Sequence, residues 1–236
     1  RLIFSTDLKT AVNNSDVIFI CVGTPTKEKS NSADLKYVFQ VANELKKYIK
    51  KYKVIITKST VPVATGDKIE KILSKLKRKK LVDVVSNPEF LREGEAIRDF
   101  IFPDRVIIGT DSKKANNILK SLYLPIIKKT NRYFNTSRRG AELIKYASNA
   151  FLATKITFIN ELAKLCEKSG IDVEDVALGI GSDSRIGSRF LRPGPAYGGS
   201  CFPKDTKGLV SAAEKHKTNS SIVKSVINSN HKRVNL

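Results

Sequence analysis

The sequence of 236 residues contains no methionine and no tryptophan, and only two histidines and three cysteines. An odd number of cysteines without framework spacing excludes a disulfide-stapled scaffold and indicates a reducing, cytoplasmic compartment. No apolar run approaches the roughly 18 residues that a membrane span needs, and no signal peptide opens the chain. We therefore expect a cytoplasmic protein without a membrane span. The absence of an initiator methionine indicates a processed chain or a piece of a longer one.

Acidic residues are scarce relative to basic ones. Lysine and arginine number 43 against 23 aspartates and glutamates, which gives a formal net charge of +20. This excess favours anionic partners, and nucleic acid, membrane surfaces, nucleotides and phosphorylated sugars all qualify. Grooves that hold single strands interleave aromatic residues with basic ones, whereas lysine runs such as Lys46-Lys47 and Lys50-Lys51 mostly lack aromatics. A solvated, lysine-rich surface is the simpler interpretation.

A third absence concerns dinucleotide binding. Dinucleotide sites normally open with G-x-G-x-x-G between a first strand and a helix. Here Gly179-x-Gly181 follows a helical stretch and so lies in the wrong context. If the chain comes from a dinucleotide enzyme, we expect its phosphate-binding half to be absent, and we expect the 236 residues alone to turn over poorly.

What the sequence does contain is an alternation of strand-length and helix-length segments. Four continuous apolar runs predict buried strands, at Asp16–Val22, Val54–Ile56, Val82–Val85 and Arg105–Ile108. Apolar residues at helical spacing predict helices over residues 34–45, Thr65–Lys77 and Lys113–Leu122. A long loop is expected over Asn87–Asp104. This alternation indicates βαβ units and hence an α/β fold with a parallel sheet.

Polar loops follow the first three predicted strands. They are Gly23-Thr24-Pro25, Ser59-Thr60 and Asn87-Pro88-Glu89. Because ligands of parallel sheets lie beyond the carboxyl ends of the strands, we expect these three loops to line one crevice. Taken alone, Thr24 and Thr60 could also be caps or turns, and Glu89 could be a solvated loop residue.

The second half of the chain is predicted to be mainly helical. Helical periodicity runs from Arg138 to Lys168 and ends at Gly170. A helix of that size spans about 45 Å, long enough to connect two domains. Lys145 and Asn149 are four residues apart and therefore share a face of this helix, although they could equally belong to a polar stripe. A short helix over Asp172–Leu178, a glycine-rich loop over Gly181–Gly199 and two closing helices follow.

The stretch Gly198–Asp205 (GGSCFPKD) places a cysteine between a turn and a helix. Two glycines let the backbone turn sharply, and Pro203 fits the first turn of a helix. The helix N-terminus and the nearby Lys204 both favour the thiolate form of Cys201 over the thiol. Cys201 is therefore the candidate nucleophile. The other two cysteines lie in apolar surroundings and are expected to be buried: Cys21 and Cys166.

Four motifs resemble the successive signatures of the UDP-glucose 6-dehydrogenases, in the order and at the spacings of that family. They are Val22–Pro25, Lys58–Val63, Ser86–Gly94 and Gly198–Asp205. The resemblance covers essentially the whole chain. Related nucleotide-sugar dehydrogenases of the GDP-mannose type share the plan, but Phe202 after the cysteine and Gly94 after Arg92-Glu93 favour the UDP-glucose members.

The resemblance implies an incomplete, Rossmann-like NAD-binding domain over residues 1–136. A central helix and a helical dimerisation and substrate domain would follow over residues 137–236. The implied reaction is the NAD-dependent, four-electron oxidation of UDP-glucose to UDP-glucuronate. A homodimer through the central helix, without membrane contact, is expected. A basic nucleic-acid-binding protein and an inactive fragment are the alternatives.

The resemblance also implies roles for single residues. Cys201 would add to the intermediate aldehyde to give a thiohemiacetal, and a second oxidation would leave a thioester for water to cleave. Lys145 and Asn149 would stabilise the developing oxyanion. The residues expected to position water or accept protons are Thr60, Glu89 and Asp205. Those expected near the cofactor are Thr24, Thr60, Glu93 and Lys204. Those expected to bind the substrate are Glu89, Phe90, Leu91, Lys145, Asn149, Tyr197 and Gly198.

Two positions depart from the family pattern. Ala196 stands where glycine commonly precedes Tyr197, and Ala64 stands where glycine commonly follows Val-Pro-Val. A methyl group at either position narrows the freedom of the backbone. The histidines, His216 and His231, have no partners at metal-ligand spacing, and no metal site is expected.

Overall fold

The computed structural model describes residues 2–27, 32–74, 81–127 and 132–234. The chain divides into two compact units. The first comprises Arg1–Pro25 with Ala33–Lys145, and the second comprises Thr26–Ser32 with Tyr146–Leu236. The first unit is α/β and the second is helical, in agreement with the predicted fold class.

The first unit is built on a five-stranded sheet in which the strands follow one another in chain order. The strands are β1 (Val17–Ile20), β2 (Lys53–Thr57), β3 (Val82–Ser86), β4 (Val106–Gly109) and β5 (Tyr133–Thr136). β1 with β2, β2 with β3, and β4 with β5 pair in parallel. The prediction of a parallel sheet is wrong at one junction, because β3 and β4 pair antiparallel, at Ser86 and Gly109.

The connection between β3 and β4 explains this reversal. A parallel crossover normally carries a helix that packs on the sheet. The predicted loop over Asn87–Asp104 instead contains the short helix α4 (Ala96–Ile101), which has no buried residue. The bidentate pairing of Arg92 with Asp99, at 2.6 and 2.9 Å, fixes this segment locally. α4 is only six residues long, too short for a periodic pattern, and its apolar residues Ile97, Phe100 and Ile101 are exposed, so it does not cover a face of the sheet.

Helices cover both faces of the sheet. They are α1 (Leu8–Asn14), α2 (Lys36–Tyr48), α3 (Thr65–Leu73) and α5 (Lys113–Ile127). Ile55 and Val84 belong to the core cluster formed with α1, α2 and α3. The alternate residues Ile56 and Val85 belong to a second cluster with α5. Since successive side chains of a strand point to opposite faces, the two clusters lie on the two faces of the sheet.

One helix end and one strand of the first unit differ from the prediction. α5 continues past Leu122 to Ile127 despite Pro125 inside it, because Tyr123 and Ile127 are buried and anchor the last turns. The short strand β5 was not predicted, because its four residues are half-buried or exposed and so form no apolar run. The predicted helix Thr65–Lys77 is α3 as far as Leu73, and its predicted end at residues 75–77 lies outside the described residues.

Cys21 is exposed, and the prediction that it is buried is wrong. β1 ends at Ile20, whose ladder partner is Thr57. Cys21 therefore lies just past the last ladder pair, at the edge of the sheet, although the apolar run in the sequence continues through it. Cys166 is buried, as predicted.

The long helix predicted in the second half is α6 (Arg138–Ser169), and its first turns belong to the first unit. The second unit continues with α7 (Val173–Gly181), α8 (Phe202–Lys215) and α9 (Ser221–Val234). The side chain of Asp172 caps α7 by accepting a hydrogen bond from the N–H of Glu174. None of the helices within the described ranges combines the length and apolarity needed to cross a bilayer.

A buried carboxylate from α6 holds the start of α3. The Oε2 atom of Glu142 accepts from the N–H of Ala64 at 2.7 Å. Its Oε1 atom accepts from the N–H of Gly66 at 2.8 Å and from the hydroxyl of Ser86 at 3.0 Å. Glu142 is only 2 % exposed. Three donors therefore compensate the burial of one carboxylate, and they tie α6 to α3 and to the end of β3.

Ala64 adopts the left-handed backbone conformation, which glycine adopts freely and which is costly for alanine. Its φ is 70° and its ψ is 14°. Ala196, the other departure, is not among the described residues with positive φ, so its methyl group meets no such penalty. The structure thus separates the two positions: Ala64 is strained and Ala196 is not.

We predict that Ala64→Gly raises the free energy of unfolding of the full chain by about 0.5–1 kcal/mol, because it removes the left-handed penalty of a Cβ atom. Chemical denaturation measures this change. The matched control is Ala196→Gly, which should lower the same quantity by a similar amount through the greater freedom of the unfolded chain. Equal effects of the two substitutions would contradict the assignment of strain to Ala64.

A second prediction concerns pH. Burial raises the pKa of Glu142 to about 6, above its ordinary value of 4.5, although the hydrogen bonds from Gly66, Ser86 and Ala64 oppose the rise. The folded state therefore binds more protons than the unfolded state between these values. Relative to Glu142→Gln, the free energy of unfolding of the unmodified chain should fall by up to about 2 kcal/mol as the pH rises through this window.

Denaturant unfolding at a series of pH values measures that difference. Glu167→Gln, at an exposed position of α6, is the control for a general change in charge and should leave the pH profile unchanged. A difference between Glu142→Gln and the unmodified chain that stays constant across the window would contradict the prediction.

Candidate active site

The three loops predicted to share a crevice are joined by hydrogen bonds at the carboxyl ends of β1, β2 and β3. The hydroxyl of Thr24 donates to the carbonyl of Thr60 at 2.8 Å. The hydroxyl of Ser59 donates to the carbonyl of Val22 at 2.6 Å. Thr24 and Thr60 are both buried. The first two loops therefore meet, as the topology predicted.

Lys58 and Asn87 join the second loop to the third. The Nζ atom of Lys58 donates to Oδ1 of Asn87 at 3.2 Å, and the hydroxyl of Tyr123 donates to the same oxygen at 2.5 Å. The amide of Asn87 in turn donates to the carbonyl of Ile107 at 2.8 Å. Burial lowers the pKa of Lys58 to about 8, while the charge of Glu89 acts in the opposite direction. The amine of Lys58 thus loses its proton more readily than a solvent-exposed lysine does.

Glu89, Phe90 and Lys145 form a compact group. Nζ of Lys145 lies 3.1 Å from Oε1 of Glu89, and the lysine side chain is only 4 % exposed. The same ammonium lies 5.2 Å from the centre of the Phe90 ring, and the guanidinium of Arg105 lies 4.2 Å from it. Phe90 therefore contacts two cations by its ring, and Lys145 is held by one carboxylate and one aromatic face.

The segment after Glu89 turns back on itself. The N–H of Leu91 donates to Oε2 of Glu89 at 2.6 Å, so one carboxylate serves both this turn and Lys145. Leu91 and Glu93 are exposed. Gly94 has a φ of 83°, a conformation that favours glycine.

Cys201 occupies the N-terminal cap position of α8, with Pro203 in the first turn. Its side chain is half-buried, and its sulfur lies 3.6 Å from the hydroxyl of Ser200. Gly199, two residues earlier, has a φ of 75°. The predicted glycine turn and helix start around the cysteine are therefore confirmed.

Asp205 lies one turn into α8 and is 1 % exposed. Its Oδ2 atom accepts from the amide of Asn149 at 2.6 Å, and its Oδ1 atom lies 2.6 Å from Nζ of Lys204. Both carboxylate oxygens are thus paired, as a buried charge requires. A Cβ atom on Gly208 would lie 2.6 Å from the ring of Tyr146, so glycine lets α8 approach α6 closely.

Tyr197 is buried beside the glycine turn. Its ring meets the ring of Phe202 edge-on, with centroids 6.1 Å apart. Its backbone N–H and C=O are both bonded to the amide of Asn230, at 2.8 and 3.0 Å. Gly198, the next residue, is exposed. Of the two, only Gly198 presents an open surface to a ligand.

The predicted site residues fall into two groups, one in each unit. Thr24, Thr60, Glu89, Phe90, Leu91, Glu93 and Lys145 belong to the first unit. Asn149, Tyr197, Gly198, Cys201, Lys204 and Asp205 belong to the second. Helix α6 carries a member of each group, since Lys145 and Asn149 lie one turn apart on it.

Sequence reasoning missed several polar residues that hold these groups in place. In the first unit they are Lys58, Asn87, Arg105 and Glu142. In the second they are Asn160, Asn230 and Arg233. A signal existed for Glu142, which lies three residues before Lys145 and so continues the polar stripe of Lys145 and Asn149. No local pattern marked Asn160 and Asn230, because their partners are backbone groups more than 30 residues away in the chain.

Comparison with known proteins identifies the family of both units. Residues 1–127 match the NAD binding domain of the UDP-glucose/GDP-mannose dehydrogenase family. Residues 139–232 match the central domain of the same family. The two matches are consecutive along the chain and together cover most of it.

Individual relatives agree with the domain matches. The UDP-glucose 6-dehydrogenase of Rhizobium meliloti is 53 % identical over 99 % of this chain and 54 % of its own length. A UDP-glucose dehydrogenase structure from Pyrobaculum islandicum is 37 % identical, with a TM-score of 0.91 over 97 % of this chain and 53 % of that one. A GDP-mannose dehydrogenase structure from Pseudomonas aeruginosa is 33 % identical, with a TM-score of 0.72 over 98 % and 54 %.

The chain spans about half the length of the relatives that it matches. Within that half, the family models account for the α/β unit and for the helices after it, and the four sequence motifs lie where the strands and helices of the structure end or begin. The chain belongs to the UDP-glucose/GDP-mannose dehydrogenase family.

Proposed function

We propose that the protein containing this chain is an NAD-dependent dehydrogenase that oxidises the C6 alcohol of UDP-glucose to a carboxylate. The observation that carries the proposal is the half-buried Cys201 at the start of α8, one turn before an Asp205 carboxylate fixed by Asn149 and Lys204. The printed names of the most similar relatives support UDP-glucose as the substrate. On this proposal, residues 1–136 serve the cofactor and residues 137–236 serve the substrate.

The residues at the carboxyl edge of the sheet fit a dinucleotide. A Cβ atom on Gly23 would meet no heavy atom within 4 Å, so the loop after β1 leaves room for a ligand. Thr24 and Thr60 adjoin this space, and the amine of Lys58 adds positive charge beside it. We assign Thr24, Thr60, Glu93 and Lys204 to cofactor binding. NAD+, when bound, accepts the hydride of each of the two oxidations.

Covalent addition of the Cys201 sulfur divides the four-electron oxidation into two two-electron oxidations that are joined by a covalent intermediate. The first oxidation converts the alcohol to an aldehyde. The thiolate then adds to the aldehyde carbon, and the resulting oxyanion takes up a proton to give a thiohemiacetal. Loss of a hydride and of the hydroxyl proton leaves a thioester. Water adds to the thioester carbonyl, the C–S bond breaks, and the carboxylate and the thiol are released.

Polar groups near the reacting centre stabilise charge and move protons. We assign oxyanion stabilisation to the ammonium of Lys145 and the amide of Asn149, which lie one turn apart on α6. Asp205, Glu89 and Thr60 are assigned to the water that cleaves the thioester. Phe90, Leu91, Tyr197 and Gly198 are assigned to the substrate. The ion pair of Lys145 with Glu89, at 3.1 Å, supports a shared role for these two side chains.

We further propose that α6 pairs with α6 of a second copy of the chain. Phe151, Phe158 and Leu165 are spaced by seven residues on this helix and are 66 %, 51 % and 60 % exposed. Apolar residues that repeat every seven positions form a stripe along one face of a helix, which is the pattern of a helix–helix seam. A second copy presents the same stripe and so provides a matching surface.

The proposed chemistry predicts a covalent adduct on Cys201. Mass spectrometry of the full-length protein with UDP-glucose and NAD+ should detect it most readily in Asp205→Asn or Glu89→Gln, because slower attack by water lets the thioester accumulate. Cys201→Ser should form no adduct and should lower the rate of NADH formation at least about a thousandfold. Cys21→Ser, which changes an exposed cysteine, is the control and should retain the adduct. An adduct that persists in Cys201→Ser would overturn the mechanism.

The proposed pairing of helices makes a separate prediction. Replacing Phe151 and Phe158 together by lysine should convert a dimer into a monomer, since charges would then face each other along the seam. Sedimentation equilibrium measures the change. Ile97→Lys alters an equally exposed apolar residue on α4 and should leave the dimer intact. A double variant that sediments as the unmodified chain does would exclude α6 as the interface.

A further inference from the structure

The segment Gly194–Tyr197, which precedes the glycine turn, is tied to two helices of the second unit. The N–H of Gly194 donates to Oδ1 of Asn160 on α6 at 2.8 Å, and its carbonyl accepts from Nε of Arg233 on α9 at 3.2 Å. The N–H of Tyr197 donates to Oδ1 of Asn230 at 2.8 Å, and its carbonyl accepts from Nδ2 of Asn230 at 3.0 Å. Both ends of this segment are therefore held.

The side chain of Asn230 bonds the backbone of Tyr197 in the way that a neighbouring strand would. One amide supplies both the acceptor and the donor that a hydrogen-bonded partner residue supplies in an antiparallel sheet. Asn230 and Tyr197 are both buried, so the backbone groups of Tyr197 would lack water if the amide were removed. The arrangement fixes the backbone at the residue where the glycine turn begins.

The other side of the turn is fixed as well. Phe202 starts α8, its carbonyl accepts from the hydroxyl of Thr206 at 2.8 Å, and its ring meets that of Tyr197. Cys201 is joined to the same helix, because its carbonyl accepts from the N–H of Asp205 at 2.8 Å. Three exposed residues, Gly198–Ser200, lie between Tyr197 and Cys201, and two of them are glycines, which are the least restrained residues of a chain. The direction in which the chain enters Cys201, and with it the direction of the sulfur, therefore depends on how firmly Tyr197 is held.

We propose that Asn230 is a positioning residue for Cys201: by holding Tyr197, it limits the places that the sulfur can reach. The inference rests on the proposed function, because it assumes that the sulfur must meet a bound aldehyde. Addition of a thiolate requires the reacting atoms to be aligned within a few tenths of an ångström, and a misplacement of about 1 Å can cost a hundredfold in rate. Arg233 and Asn160 hold the other end of the same segment and support the same role.

Hydrogen exchange tests the structural half of the proposal. In Asn230→Ala, the Tyr197 amide of the full chain should exchange at least about tenfold faster, as detected by NMR, because its acceptor is gone. Asn228→Ala is the matched control, since Asn228 is an exposed asparagine two residues earlier on α9. It should leave the exchange unchanged. Unchanged exchange in Asn230→Ala would overturn the proposal.

The rate of covalent capture tests the catalytic half. With UDP-glucose and NAD+, Asn230→Ala should form the Cys201 adduct at least about tenfold more slowly. Its alkylation by iodoacetamide, a small reagent that needs no fixed orientation, should not slow. Slower adduct formation with unchanged alkylation would show that the thiol is accessible and intact but no longer aligned with the aldehyde. Equal slowing of both reactions, or unchanged capture alongside faster exchange, would overturn the positioning role.

These measurements separate the two proposals. If the unmodified protein forms no adduct on Cys201, the proposed mechanism fails, while hydrogen exchange still decides whether Asn230 holds the loop. If Asn230→Ala does not fold, the unmodified chain provides the test. The amides of Gly194 and Tyr197 should then exchange at least about tenfold more slowly than that of Gly199. Equal rates at the three positions would overturn the proposal.

Discussion

The carboxylate of Glu142 fixes the beginning of α6 against the sheet of the first unit. It accepts from two N–H groups at the start of α3 and from the hydroxyl of Ser86 at the end of β3. Lys145 follows three residues later and pairs with Glu89, which itself follows β3. The position of the Lys145 ammonium is thus set by a buried polar contact one turn away.

A similar arrangement recurs in the second unit. Asp205 is buried, and its two oxygens are paired with Asn149 of α6 and with Lys204. Burying a charge is costly unless every oxygen finds a donor, and a fully paired charge permits few alternative arrangements of the elements around it. Asn230 plays the same part with a neutral amide, since it satisfies both backbone groups of Tyr197. In each unit, buried polar contacts therefore fix the residues that the sequence predicted as site residues.

Local patterns predicted the elements that carry the motifs. Continuous apolar runs gave β1 to β4, and helical periodicity gave α6 almost to the residue. The predictions from local patterns failed where tertiary packing outweighs the conformational preference of a residue, and where an element is too short to show a pattern. Buried Tyr123 and Ile127 stabilise α5 past Pro125, and α4 has only six residues, too few for a periodic pattern, with its apolar side chains exposed. The apolar run through Cys21 concealed that the strand ends at Ile20.

Spacing along the chain was enough to predict the α/β order, the loops that meet at the carboxyl edge of the sheet, and the cysteine between a glycine turn and a helix. These features follow from spacing because strand and helix periods and the conformations of glycine and proline act over a few residues. The folded structure was needed to find the antiparallel junction of β3 and β4, the strain at Ala64, and the partners of Glu142, Asp205 and Asn230. Those contacts join residues dozens of positions apart, and only the folded backbone brings their donors and acceptors within hydrogen-bonding distance.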